Sequence, residues 1–488
     1  MSKFFPYFRE MTRRTSSHFF IIMSEVKFSR KYPLIKIIIF NLSVSLFLAS
    51  ATQAQSIFEH SEDSFLAGKT SEVSPQQKKN GKKYNGLAVL IESGLDQSPV
   101  IRGRLNLAEA ARSGVDAAKW QFYPTPNATV QQAHTSKNDP SYQGDDRVFT
   151  FGLIQPLWSG GRLTAGLTIA EGQLASSLID LEDGRRQLAL NIVNAYGDWV
   201  NASQKIKAYE ENVSIHRKLI ELIKRRVGAG LSPESDTLFA DGRLEQSLSE
   251  LMTAKTQQIN AIARLNQLLA YSVSNEDMRR ISNPALRYTV NAEDMLRLAL
   301  ERSPAILKAK AQISVAEGQL AQSKSSLYPS VSLNIQRQDG NFSTSNLTSA
   351  AQTRAFITIG TNFGAGLSNF SQISSAASTR DYAQASEEAA KQDVTMQIQS
   401  DIAVLKSALF RVQSTELSCQ AAKSTSESWA RQFFAGKKQW QDLLNSTREL
   451  SVCQATLADA NTALLIVVWR LAVESMGLDA SLDLAFDK

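Results

Sequence analysis

From Leu181 the apolar positions advance by three and four residues in turn: Leu181, Arg185, Leu188, Ile192, Ala195, Trp199, Ala202, Ile206, Tyr209, Val213, His216, Ile220, Ile223 and Val227. Only Arg185 and His216 interrupt the run. A period of 3.5 sustained over nearly seven heptads is the spacing of coiled-coil packing. It predicts a helix from about Ser159 to Val227, about 100 Å long at ~1.5 Å per residue. An antiparallel return is read through Ile259, Ile262 and Leu269. The pattern comes back further on, outward through Ile398, Ile402, Leu405, Leu409 and Val412, and homeward through Leu450, Cys453, Leu457, Ala460, Leu464, Val467 and Leu471. Ahead of each helical stretch the period changes to two. "SVSLNIQR" alternates Val331, Leu333 and Ile335 with polar residues, "FITIGTNF" places Ile357, Ile359 and Phe363 on one face, and "RVFTFGLIQP" does so with Phe149, Phe151 and Leu153. These read as strands. "TPNATVQQAH" alternates poorly. "TSKNDPSYQGDD" and "QDGNFSTSNLTSA" read as joining loops, and Pro124, Pro156 and Pro329 fall where helix and strand exchange.

Both patterns occur twice because the chain is duplicated. "AGLSPESDTL" at Ala229 corresponds to "AGKKQWQDLL" at Ala435, with Arg225/Arg431, Gly230/Gly436, Asp236/Asp442, Leu238/Leu444 and Leu244/Leu450 in register. "SPVI" at Ser98 recurs as "SPAI" at Ser303, and Tyr123-Pro124 as Tyr328-Pro329. Each half therefore runs helix, strand, loop, strand, long helix, turn, helix. The expected organisation is a first repeat over residues 87–275, a second over 276–478 and a tail over 479–488. Residues 52–86, which include "SPQQKKNGKK", are expected to be a disordered linker.

Charge changes the picture only at the N-terminus. The 488 residues carry a net charge of +6, but residues 1–51 hold eight Lys/Arg against two acids, and the remainder balances at 45 of each sign. A nucleic-acid function is excluded on that balance. Lys27, Arg30, Lys31 and Lys36, the apolar run from Ile37 and the small residues Ala49-Ser50-Ala51 read as a secretory signal peptide, with an uncleaved membrane anchor as the other reading. The basic stretch before Met23 makes Met23 the expected translation start. No later segment reaches ~18 consecutive apolar residues, so a membrane form of this chain uses strands.

Candidate chemistry is sparse. His18, His60, His134 and His216 lack metal-ligand spacing, and "WSGGRLTAG" from Trp158 lacks the Gly-Lys-Ser/Thr ending of a phosphate loop. No catalytic residue, cofactor or metal is expected, so the chain does not read as an enzyme. His216 lies in the heptad seam as a core or lumen residue. Trp158 reads either as packing at the strand-to-helix junction or as a membrane-interface anchor. Cys419 and Cys453 flank Gly436 symmetrically. A hairpin folded there sets the two thiols at similar heights, either as a disulfide or as two small buried residues.

Four strands of about ten residues suit a thin membrane, whereas helices of about 100 Å do not fit inside one. Four strands also cannot close a barrel, which takes at least about eight, so several chains must contribute. On "IQPLWSGGRLTAGLTIAEGQLA" from Ile154, "RRVGAGLSPESDTLFADGRLEQS" from Arg225 and "RQFFAGKKQWQDLLNSTREL" from Arg431, the chain resembles the TolC family of outer-membrane efflux and secretion channels. "FGAGLSNFSQI" from Phe363 is similar to channels serving ABC-type exporters of large adhesins.

The resemblance implies a mainly helical fold with a membrane β part. The membrane part so implied is a homotrimeric 12-stranded β-barrel, four strands per chain, which the resemblance continues by a long coiled-coil barrel into the periplasm. It also implies a periplasmic membrane-fusion adaptor and an inner-membrane ABC transporter, or another efflux pump, as partners. The TolC pattern at the second turn is a tyrosine, an arginine and two aspartates closing the tunnel. On the glycine register these fall on Phe433, Lys438, Asp442 and Asn445, so only the first aspartate is kept. Closure is then expected to rest on an acidic ring of Asp442 and on packing of Phe433 and Phe434. Gly228, Gly230 and Gly436 are expected to permit the chain reversals, and Ser232 or Ser235 to cap the returning helix beside Asp236. Together the tip residues Gly228, Gly230, Ser232, Asp236 and Gly436 are expected to dock the adaptor.

Overall fold

The computed structural model describes residues 86–132, 145, 147–279, 291–340, 352–361 and 364–486. The leader, the linker before Gly86, His18, His60, His134, Phe363, most of both strand-joining loops and the last two residues lie outside the described residues. So does the Phe434 side chain.

The duplication governs the architecture. In the first half, helices α1 (Leu87–Gln97) and α2 (Pro99–Trp120) lead into strands β1 (Thr125–Gln132) and β2 (Arg147–Trp158). Helix α3 (Arg162–Gly228) follows, then α4 (Glu234–Leu269) and the short α5 (Asn275–Arg279). The second half has α6 (Ala292–Arg302), α7 (Pro304–Ser325), β3 (Ser330–Asp339), β4 (Gln352–Gly360), α8 (Ser368–Phe434), α9 (Trp440–Met476) and α10 (Leu478–Phe486). Helices α1 and α6 are both 11 residues, α2 and α7 both 22, and α3 and α8 both 67. Pro99 and Pro304 open their helices at the first turn, where the missing N–H costs no bond. The protein is therefore mostly helical with one small sheet.

That sheet has the order β1-β2-β3-β4, antiparallel throughout, and no described strand covers its two outer edges. Its register separates two faces. One carries Ala128, Phe151, Leu153, Ile335, Ala355, Ile357 and Ile359, and the other Thr129, Thr150, Asn127, Gly152, Gln336, Asn334 and Thr358. The apolar side chains of the first face are left uncovered, as in Phe151 at 60% and Ile359 at 69% exposure. On the polar face Asn334 Nδ2 donates to Thr358 Oγ1 (2.9 Å) and Ser332 Oγ (3.1 Å). The weakly alternating "TPNATVQQ" is a full strand because eight consecutive residues pair with β2.

Below the sheet α3 packs against α2, α4, α7 and α9, while α8 packs against α7 and α9. Every position of the seam read along α3 is buried or half-buried. The seam reading departs from the structure at two places. Ile259 of α4 is 66% exposed, and the buried stripe is instead Ala240, Ser247, Ala254 and Ala261 at seven-residue spacing. Small residues let α4 approach α3 closely, so the bulky one turns outward. Leu409 of α8 is 51% exposed, alongside Met396, Phe410, Leu417 and Tyr382, because this face of α8 has no partner among the described residues. Helix α9 contains a window apolar enough, by length and composition, to cross a membrane. It lies against α3 and α8, so that apolarity serves helix packing.

A core of Leu87, Leu90, Ile91, Ile192, Tyr196, Leu265, Leu269, Met278 and Trp469 ties α1, α3, α4 and α9 together. Near it Asp401 of α8 accepts from Arg470 Nη1 (3.0 Å) and Gln397 Nε2 (3.0 Å), and Glu474 Oε1 lies 3.5 Å from Arg186 Nη1. Burial, and then the neighbouring Asp401 charge, pushes Glu474 up to about 7.

Candidate functional site at the paired hairpin tips

The two helical hairpins end in the same turn. Ala229 N–H donates to Arg225 O, Gly230 N–H to Val227 O and Leu231 N–H to Arg226 O. In the second hairpin Ala435, Gly436 and Lys437 repeat this onto Arg431, Phe433 and Gln432. This is a Schellman C-cap, which needs a left-handed residue, and Gly230 (φ 70°) and Gly436 (φ 74°) supply it. Gly228 does not share that role: it is the last helical residue of α3. The expected serine cap is also absent. The N-cap of α4 is Pro233, with no side-chain capping hydrogen bond, because Ser232 lies one residue too early and Ser235 already lies within the helix.

Between the tips lies a contact made by neither hairpin alone. Trp440, the first residue of α9, donates its Nε1–H to Asp236 Oδ2 of α4 at 3.2 Å, and Phe239 meets the indole edge-on with centroids 5.8 Å apart. The Arg243 guanidinium stands over the Phe239 ring at 5.1 Å. Beneath, Leu219, Ile220, Ile223, Ala240, Phe433, Trp440, Leu443 and Leu444 form a closed apolar cluster drawn from both hairpins.

The four positions carried over from the resemblance fall into three environments. Phe433 is buried in that cluster. Lys438 Nζ lies 3.6 Å from Asp442 Oδ2, one helical turn away, and 4.3 Å over the Trp429 ring. Both partners of the ion pair are partly solvated, so it contributes little on its own. Asn445 lines a small cavity with Asn212, His216, Arg243, Ser247, Glu250 and Arg448. There Asn212 Nδ2 donates to Ser247 Oγ (3.3 Å), while Asn212 Oδ1 and His216 Nδ1 have no hydrogen-bond partner among the described residues. Burial, and then the Arg243 charge, lowers the His216 pKa, so the imidazole is held neutral.

Of the expected docking residues, Gly228, Gly230 and Gly436 are exposed and Ser232 is half-buried, whereas Asp236 is engaged by Trp440. Leu231 (69%) and Leu238 (71%) add exposed apolar surface at the first tip. Above the second tip Cys419 and Cys453 form a disulfide joining α8 to α9. At the other end of α3, Trp158 is half-exposed and meets Tyr328 edge-on at 6.2 Å.

A family model described as outer membrane efflux protein matches residues 90–270 and 295–473, one stretch in each repeat. The chain belongs to that family. As an outer membrane efflux protein it is placed in the outer membrane. It is 26% identical over 174 residues to the alkaline protease secretion protein AprF of Pseudomonas aeruginosa, covering 35% of this chain and 36% of AprF. It is 25% identical over 267 residues to protein CyaE of Bordetella pertussis, covering 52% and 55%. The matches thus span between about a third and just over half of these relatives' length. Among solved structures, the outer membrane protein VceC of Vibrio cholerae superposes with a TM-score of 0.68 at 17% identity, covering 80% of this chain and 96% of VceC. CusC gives 0.67 at 16%, covering 82% and 95%. These structures carry the fold alone.

Two features of this outer membrane efflux protein escape the sequence reading. The Asp236–Trp440 bond joins residues 204 apart, one per repeat, and at the position matching Trp440 the first repeat has Glu234. An aromatic at the first helical position of only one tip is the signal that marks it. The polar trio Asn212, His216 and Ser247 is visible only as two interruptions of apolar stripes. Among the described residues no group of three His, Cys, Asp or Glu side chains is placed to hold a metal.

Proposed function

We propose that this protein is the outer-membrane duct of a type I secretion system, exporting a polypeptide across periplasm and outer membrane in one step. Three copies supply twelve strands, and the two open sheet edges of each copy pair with its neighbours. The uncovered apolar face of α8 is buried against the next copy in the same way. Helices α3 and α8, which follow β2 and β4, carry the passage into the periplasm, where the tips meet an adaptor and, through it, an ABC transporter. No step needs a catalytic residue or cofactor, so the protein is a conduit and not an enzyme.

The observation that carries the reading is the sheet itself. It is apolar on one face, polar on the other and open at both edges among the described residues, and β2 and β4 are each followed by a helix of the same length. In the closed state the tips are held by the Asp236–Trp440 junction, with Asp442 at the entrance. Similarity to AprF favours a protein cargo. Small-molecule efflux is the second reading, favoured by the family description. Deleting the gene separates them. Loss of one or a few large proteins from the medium or cell surface, with drug susceptibility unchanged, supports secretion. An unchanged set of exported proteins with new drug sensitivity supports efflux.

A further inference from the structure

The small cavity next to the tip cluster is walled by three helices: Asn212 and His216 from α3, Arg243, Ser247 and Glu250 from α4, and Arg448 from α9. Asn212 is 4% exposed and His216 3%. Ser247 Oγ donates to Arg243 O (3.1 Å), so towards Asn212 it can only accept, and this fixes Asn212 Nδ2 as the bonded atom and Oδ1 as the free one. That oxygen, one helical turn from His216, takes no hydrogen from the imidazole or from any other described donor, and His216 Nδ1 is equally without a partner. The space measures about 20 Å³, enough for one water-sized body and too little for the hydration shell of a charge. Its lining carries two guanidinium groups, Arg243 and Arg448, against one carboxylate, Glu250, which accepts from Gln246 at 3.5 Å. On α3 itself the flanking charges Glu211, Arg217 and Lys218 are exposed.

We infer that His216 is a proton-operated release for the tips: a proton taken up by its imidazole favours the arrangement in which α4 and α9 have parted from α3, so acid opens the duct. The inference rests on the channel reading proposed above. An imidazolium donates from both ring nitrogens, so whichever tautomer the neutral ring holds, protonation leaves Nδ1–H a buried donor without an acceptor. Burial, and then the Arg243 charge, already resists that proton in the arrangement described here. Parting the helices admits water, and the ring returns towards its ordinary value near 6.5. The closed arrangement is therefore favoured in full above that value and loses this contribution as pH falls below it. The push is delivered where the tips are joined: Arg243 stands over Phe239, and Phe239 meets Trp440, whose indole donates to Asp236.

The test is the open fraction of the purified full-length protein in planar lipid bilayers at pH 7.5 and pH 5. The parent's open fraction should rise by about threefold or more on acidification, and His216→Gln, which is neutral at both values, should lose most of that rise. Carboxylates elsewhere titrate alike in parent and variant, so the comparison isolates the imidazole. Arg243→Gln removes the opposing charge and should reduce the rise while leaving part of it, whatever its effect on the open fraction at pH 7.5. If His216→Gln does not insert, Arg243→Gln decides alone: a reduced rise supports the release and an undiminished one overturns it. A channel that conducts, yet shows the same pH response in the parent and in both variants, overturns the release and leaves the channel reading intact. A protein that inserts without conducting at either pH overturns the channel reading, and the release with it.

Discussion

Replacing Trp440 by Phe keeps an aromatic ring in the tip cluster and removes only the Nε1–H that Asp236 accepts at 3.2 Å. A hydrogen bond to a charged group contributes about 1.5–3 kcal/mol when its partners are dry. Here the indole is 6% exposed but Asp236 is half-buried, so water takes over part of the bond once it breaks and about 1 kcal/mol per protomer remains. If three copies open together the closed state loses about 3 kcal/mol, and the closed-to-open ratio falls roughly a hundredfold. The assay is the fraction of time spent in the fully conducting state in planar bilayers. Asp236→Ala should match Trp440→Phe, and Asp236→Asn, which keeps an acceptor oxygen, should lie between it and the parent. The double variant Trp440→Phe/Asp236→Ala should open hardly more than either single change, because both remove the same bond. Two effects that add within about 0.5 kcal/mol would show that the residues act independently, and an unchanged open fraction in both would refute the latch.

Three further outcomes follow from the structure. Two titrations act in opposite senses. His216 is held neutral, so its contribution is complete above its ordinary value near 6.5 and is lost as pH falls below it. Glu474 is raised from 4.5 to about 7, so stability falls as pH rises between those values. Denaturation midpoints from pH 4.5 to 7.5 should therefore steepen downward with rising pH in His216→Gln, and lose that fall in Glu474→Gln; parallel curves in all three proteins would contradict both assignments. Reducing the Cys419–Cys453 bridge, which closes a loop of sequence separation 34, should cost about 4 kcal/mol on the chain-entropy model, measured by denaturant unfolding with and without reductant. Gly230→Ala and Gly436→Ala should each destabilise by about 1–2 kcal/mol from the positive φ alone, whereas Gly228→Ala, two residues away in helical backbone, should stabilise by up to about 1 kcal/mol. The same sign at Gly228 and Gly230 would mean that the turn is not formed as described.

Much of the fold was legible because the duplication wrote it twice. A period of 3.5 marks α3 since its seam is covered along its whole length by other helices of the same chain. The period failed where burial does not select large side chains. On α4 the contact is made by Ala240, Ser247, Ala254 and Ala261, and small residues carry almost no hydrophobic signal, so Ile259 on the outer face was mistaken for the seam. It failed again at Leu409, whose apolar face has no cover within one described chain. The Schellman glycines were legible from the repeated Ala-Gly pair, because only a residue free of the Cβ penalty closes that turn readily. Which of two neighbouring glycines does so was not, because Gly228 and Gly230 differ only in the backbone they occupy.

The tip chemistry was least legible, for a reason of distance. Positions carried over from a family motif inherit their neighbours from other chains, and here the neighbours have changed. With phenylalanine at 433 there is no phenolic hydroxyl to reach across, so the ring turns into the apolar cluster below the turns. Lys438 pairs with Asp442 on its own side of the hairpin. The donor that bridges the hairpins comes instead from Trp440, seven residues beyond Phe433, onto an aspartate in the other repeat. In this chain a hydrogen-bond donor on the second hairpin and a carboxylate on the first join the tips. An indole has a single donor and a large apolar body, so this junction combines the bond with burial in a way a phenol facing water does not. Loosening it therefore requires the apolar cluster to part as well. If the proposed opening separates the tips, the Trp440 ring must leave the apolar cluster as well as the Asp236 carboxylate.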